Sequence, residues 1–125
     1  MTNDEIKQTL SYDLLNKAQE IMLSRRKEYG NVVDIFNESS NMVAFLSNEK
    51  VSASACVSVF IGIKLSRIST IITSGNIDSN VLKDSIIDLI NYLTIFYEVI
   101  CKTKLLTLTV GIPDNQVEDA HITNL

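Results

Sequence analysis

Apolar positions recur with a helical period through most of the chain. From Thr2 onward they fall at Leu10, Leu14, Ala18, Ile21 and Met22, and the Thr2/Glu5 spacing is that of a capping box, so a first helix is expected from Thr2 to Gly30. Gly30 suits a left-handed C-cap. Asn31 can cap a second helix with Asp34 in its first turn, and Val32, Phe36 and Val43 carry its stripe to Leu46. Ser47 to Lys50 is polar and reads as a loop. A third helix, from Ser52 to about Ser74, is apolar nearly all round, with Val57, Val59, Phe60, Ile61, Ile63, Leu65, Ile68, Ile71 and Ile72. That is the pattern of a helix covered on most sides, which a lone bundle of this size cannot provide. A homodimer or higher homo-oligomer burying part of the third and fourth helices is therefore expected.

Gly75 to Asn80 breaks and recaps the chain, and a fourth helix is expected from about Val81 to Cys101. Beyond residue 104, Leu106, Thr107, Leu108, Thr109 and Val110 alternate like a short strand closed by Gly111 and Pro113. No second strand is visible, so this segment reads as a strand shared with another subunit or as an extended arm. The expected architecture is all-α: a four-helix bundle over residues 1–104, then a short extended C-terminal arm and polar tail over 105–125, with His121 solvated in the tail.

A chain of 125 residues makes one domain able to bury roughly two-thirds of its unfolded surface. The net charge of -4 argues against a nucleic-acid duplex as partner, because tracking a phosphate backbone needs a basic stripe. The N-terminus lacks the basic-then-apolar order of a signal peptide, and no uncharged run approaches the ~20 residues of a membrane span, so no membrane is expected and the location is read as cytoplasmic. Cys56 and Cys101 sit among apolar residues and resemble small core residues of a reducing compartment.

Against this background several charges lie on faces that otherwise read as core. Arg25 and Tyr29 extend the stripe of the first helix, Lys64 and Arg67 lie on the line of Val57, Phe60 and Ile71, and Asp84, Asp88, Asn91 and Tyr92 run down a helix of Ile and Leu. Charges are costly to bury unless paired, so these groups suggest a polar site inside a helical bundle, one that a phosphorylated ligand would fit. Simpler roles are available for some of them. Asp84 can favour the dipole at the start of its helix, Asp88 can pair with Lys64 or Arg67, and Arg25 and Lys27 can offset the dipole at the end of theirs.

The strings Arg25-Arg26-Lys27-Glu28-Tyr29-Gly30-Asn31, Lys64-Leu65-Ser66-Arg67-Ile68 and Asp84-Ser85-Ile86-Ile87-Asp88-Leu89-Ile90-Asn91-Tyr92, with Phe36 between the first two, carry a resemblance. In order and spacing they look like a family of small phage and prophage proteins of unassigned function, with agreement over residues 14–98. That family is similar in turn to the all-α nucleotide pyrophosphohydrolases of the MazG and dUTPase type. The resemblance implies a MazG-like bundle that oligomerises and binds a nucleotide between helices. It also implies a Mg²⁺ site of carboxylates on two helices, for which the candidates are Asp34 with Glu38 and Asp84 with Asp88. Each pair is spaced i,i+4, whereas the pyrophosphohydrolases carry E-x-x-E and E-x-x-D.

Two functions are thus in view. In one, Arg25, Lys27, Tyr29, Lys64, Arg67, Asp84, Asp88, Asn91 and Tyr92 hold a nucleotide or cyclic nucleotide without cleaving it, needing no cofactor. In the phage setting that would be a sponge for a cyclic or ADP-ribose-like immune signal. In the other, the four carboxylates hold Mg²⁺ for pyrophosphohydrolysis. The carboxylate spacing favours the binder over the enzyme. A third class is a structural or interaction protein whose buried polar network sets subunit register.

Overall fold

The computed structural model describes the backbone of residues 1–109 and side chains through residue 103. These residues are all-helical, in five helices: α1 (Asn3–Ile6), α2 (Leu10–Tyr29), α3 (Val32–Ser47), α4 (Ala53–Thr73) and α5 (Ser79–Thr109).

Side-chain caps set most of the boundaries. The Thr2/Glu5 capping box forms, but the expected first helix is cut into α1 and α2. Thr9 makes the cut: its hydroxyl accepts from the Tyr12 amide to start α2 and donates to the Ile6 carbonyl. A threonine that offers its own hydrogen bonds to the backbone competes with a continuous helix. Gly30 ends α2 with φ of 74° and ψ of -138°, a positive φ but outside the left-handed helical region expected of it. Asn31 caps α3 through the Val33 amide, and Asn48 closes it in the left-handed conformation. Ser52 caps α4, as its position implies. The Asp78 carboxylate accepts from the Asn80 and Val81 amides, so α5 starts two residues before the expected Val81.

The far end of α5 is a correction. Leu106 to Thr109 alternate like a strand yet continue the helix to Thr109. With no described strand to pair with, an extended backbone there would leave its amides and carbonyls to water, whereas one more helical turn satisfies them locally. The rest of the expected arm, from Val110, and the tail with His121 lie outside the described residues.

The core lies where α3, α4 and α5 meet. Val33 and Phe36 from the first half of α3 pack on Ala53 and Val57 from the start of α4 and on Val99 from the second half of α5. Lys64 meets Asp88 while Val57 meets Val99, so α4 and α5 are antiparallel. α2 leans chiefly on α5. Asp13 near its start pairs with Lys83, and Arg26 near its end pairs with Glu98, so α2 and α5 run in the same direction.

α4 is long and apolar enough to cross a membrane by length and composition, with mean hydropathy 1.7 over its window, although Lys64 and Arg67 sit mid-helix. Only Ala53 and Val57 of this helix are buried within the chain.

Ile87 is 1% exposed. Ile87→Ala is expected to cost about 2–5 kcal/mol of stability, the usual cost of emptying a packed isoleucine site, measured by urea denaturation.

Candidate functional site

A cavity of about 470 Å³ opens between the end of α2, the start of α3 and the middle of α5. It is lined by Met22, Arg25, Arg26 and Tyr29 from α2, by Val32, Ile35 and Phe36 from α3, and by Asp88, Asn91, Tyr92 and Ile95 from α5. Its volume lies in the range of small-molecule sites, and its make-up of apolar walls with a few convergent polar groups is theirs too.

Two carboxylates of α5 organise the charges. Asp88 holds Arg25 of α2 through Oδ1 at 3.1 Å and Lys64 of α4 through Oδ2 at 2.9 Å. Three residues along α5 from Asp88 comes Asn91, and a further seven bring Glu98, which holds Arg26 at 2.7 Å and Lys102 at 3.1 Å. Each carboxylate therefore grips two cations, one per oxygen. Of these groups Arg25, Arg26 and Asp88 line the cavity, one positive charge in excess, in a chain whose net charge is -4. The two carboxylates lie roughly 15 Å apart along the helix axis at 1.5 Å per residue.

Burial is the largest single influence on the Asp88 carboxyl and pushes its pKa up, but Lys64 and Arg25 together outweigh it and hold the group below its ordinary 3.8. Glu98 is lowered from 4.5 first by the hydrogen bond from Arg26, with Lys102 adding to it against the opposing effect of burial.

The walls are aromatic where α3, α4 and α5 converge. Phe36 meets Phe60 edge-on at 5.8 Å, and Phe60 stacks on Tyr92 at 5.3 Å with 17° between the rings. Tyr29 stands at the mouth and is 63% exposed. Two buried donors in the lining have no acceptor: Arg26 Nε and Asn91 Nδ2. A buried polar group left without a partner costs about 1–3 kcal/mol.

The structure brings together Arg25, Tyr29, Asp88, Asn91 and Tyr92 of the expected site residues. Lys64 stands behind Asp88 as its second cation. Lys27, Arg67 and Asp84 are exposed and do not line the cavity. Arg26, Glu98 and Lys102 were missed. Leu14, Ala18, Met22 and Arg26 are spaced by four, so the expected stripe itself carried the signal for Arg26. Glu98 lies 72 residues from Arg26, and nothing local marks it.

The four carboxylates proposed for Mg²⁺ do not assemble into one ligand set. Asp34 lines a separate depression with Asn37, Ser40 and Lys102, Glu38 and Asp84 are exposed, and Asp88 is already held by two cations. Among the described residues, no three His, Cys, Asp or Glu side chains are grouped as a metal would need.

No protein-family model, curated protein or solved structure matches this chain. The resemblance to small phage proteins thus rests on its motifs alone.

A carboxyl whose pKa is lowered on folding stabilises the fold above its unfolded pKa and loses that contribution as pH falls through the folded value. Asp88→Asn is expected to lower the melting temperature at pH 7, with the gap from the unaltered protein closing as pH drops from about 5 toward 2, as followed by circular dichroism.

Proposed function

We propose that this protein binds a phosphorylated nucleotide in the cavity between α2, α3 and α5 and holds it without cleaving it. The observation that carries this reading is the pair of arginines, Arg25 and Arg26, lining an apolar-walled cavity against a single carboxylate, Asp88, in an acidic chain. A cationic excess confined to one concave site selects a compact anion rather than a long polyanion. Arg25 and Arg26 offer planar guanidinium donors suited to phosphate oxygens. The aromatic and aliphatic walls suit a base, and no carboxylate in the lining is free of cations to orient an attacking water. With the phage resemblance, the role is sequestration, in the host cytoplasm, of a cyclic or ADP-ribose-like signal nucleotide.

The test is to incubate the full chain and Mg²⁺ with nucleoside triphosphates and with cyclic and ADP-ribose-type nucleotides, filter, heat the retained protein and chromatograph both fractions. Depletion of one nucleotide followed by its intact release is the expected result; conversion to a monophosphate and pyrophosphate would overturn the binder. Arg26→Ala should weaken retention about tenfold or more, as loss of a charge-assisted hydrogen bond does.

The same reading includes self-association. Val59, Ile63, Leu65 and Ile72 of α4 are each more than half exposed, and Phe45 and Leu46 at the end of α3 more so. Large apolar side chains left to water on more than one side of α4 suit contact with further copies of the chain. Ile63→Glu is expected to lower the mass measured by light scattering toward that of one chain; an unchanged mass would place the contact elsewhere.

A further inference from the structure

One apolar face of α4 and α5 turns away from the cavity. Phe60 meets Tyr92 and Lys64 meets Asp88 where these antiparallel helices pack, the chain's most extensive helix pair. One residue further along each helix, a turn of about 100°, come Ile61 and Leu65 on α4 and Leu93 and Leu89 on α5. For antiparallel helices these rotations carry all four side chains to the same side of the pair. Ile72 and Tyr97 extend the two lines by about whole turns. The residue before Tyr92, Asn91, turns the opposite way and lines the cavity. The face so formed is left to water: Leu65 and Ile72 are each 53% exposed, Leu93 48% and Tyr97 56%. None of the six residues is charged, since Lys83, Asp88 and Glu98 of α5 are turned toward α2 and Lys64 is held by Asp88.

The geometry points to this face as the seam of a two-fold homodimer, with α4 and α5 of one copy laid on α4 and α5 of a second. The inference rests on the self-association read above and goes further by placing the contact. Ile63 lies two residues from both Ile61 and Leu65, on the far side of α4, so the seam is a different surface from the one around Ile63. A two-fold contact brings one surface against itself, which suits aliphatic and aromatic side chains without charge; a different protein partner would find no charge pattern to read. The two helices present a face of roughly 30 Å by 20 Å, so two copies would cover about 1,200 Å² in all, the size at which specific interfaces become stable. A bilayer surface draws in an apolar face through flanking cations, whereas this chain has a net charge of -4. α4 shows the need for cover, with only Ala53 and Val57 buried within the chain. Because the seam and the cavity lie on opposite sides of α5, the dimer leaves a cavity open in each copy.

The experiment is light scattering and sedimentation of the full chain, unaltered and as Leu93→Glu, Leu65→Glu and Ile63→Glu, with helix content followed by circular dichroism. The unaltered protein is expected to contain an even number of chains and to melt at a temperature that rises with protein concentration, as association linked to folding requires. Leu93→Glu and Leu65→Glu should each halve the mass and keep the helices, since both positions are about half exposed in the single chain. Leu93→Gln and Leu65→Gln serve if the glutamate variants do not fold. A mass unchanged by both substitutions would overturn the seam, and a drop with Ile63→Glu alone would then leave self-association standing on the other side of α4. An unaltered protein with the mass of one chain would overturn self-association and this inference together. A single chain that floats with phosphatidylcholine vesicles, and ceases to do so as Leu93→Glu, would assign the face to lipid and likewise overturn the dimer.

Discussion

Asp88 is the point on which the arrangement of this molecule turns. One carboxylate on α5 reaches Lys64 on α4 with one oxygen and Arg25 on α2 with the other, so three helices share a single anion. The Lys64 contact lies on the well-packed side, where α4 and α5 bury most of the core, and it is the better desolvated of the two: the Lys64 side chain is 17% exposed against 49% for Arg25. Ion pairs strengthen as solvent is excluded, so Lys64 fixes the carboxylate and the carboxylate then locates α2. Removing Asp88 would leave a partly buried lysine uncompensated, a larger loss than that of either pair taken alone.

α2 needs that location because its packing alone does not supply it. Ala18 is its only fully buried residue, and its contacts fall chiefly on α5. Three cross-helix ion pairs, Asp13 with Lys83, Arg25 with Asp88 and Arg26 with Glu98, set its register and direction. The first is well exposed and contributes little. The other two lie at the end where α2 turns at Gly30 into α3, and between them α2 stands off from α5 far enough to leave the cavity. Arg25, Arg26 and Asp88, which help hold the helix in place, therefore also line the cavity.

Helix existence was legible in the sequence because period, caps and breakers agreed: Asn31, Ser52 and the Gly75 to Asn80 break all fell where the structure uses them. What failed was local competition. Thr9 looks like any polar surface residue until its hydroxyl is seen bonding to both sides of a break. Leu106 to Thr109 have the period of a strand, but period cannot decide when the described residues hold no partner strand. For the site, Arg25, Asp88, Asn91 and Tyr92 could be found because each is a polar group on an otherwise apolar stripe. Arg67 and Asp84 obeyed the same rule and are exposed, since a stripe on an incompletely covered helix does not define an interior. Arg26 was hidden by adjacency to Arg25, with which it shares the end of α2 but not the partner. Arg26 with Glu98 and Arg25 with Asp88 are joined only by the fold, across 72 and 63 residues.

The pairing of each carboxylate with two cations has a consequence for how an anion could enter without undoing the scaffold. If each arginine were the sole partner of its carboxylate, a phosphate that drew Arg25 and Arg26 toward itself would strip Asp88 and Glu98 of countercharge, and the cost would be taken from binding. Here Lys64 remains on Asp88 and Lys102 on Glu98, each on the oxygen that the arginine does not use. The arginines can therefore be shared between a carboxylate and a ligand oxygen, because guanidinium offers five donors in one plane. Arg26 commits one terminal nitrogen to Glu98, and its buried Nε has no partner. In the proposed role the lysines would hold the fold while the arginines meet the ligand.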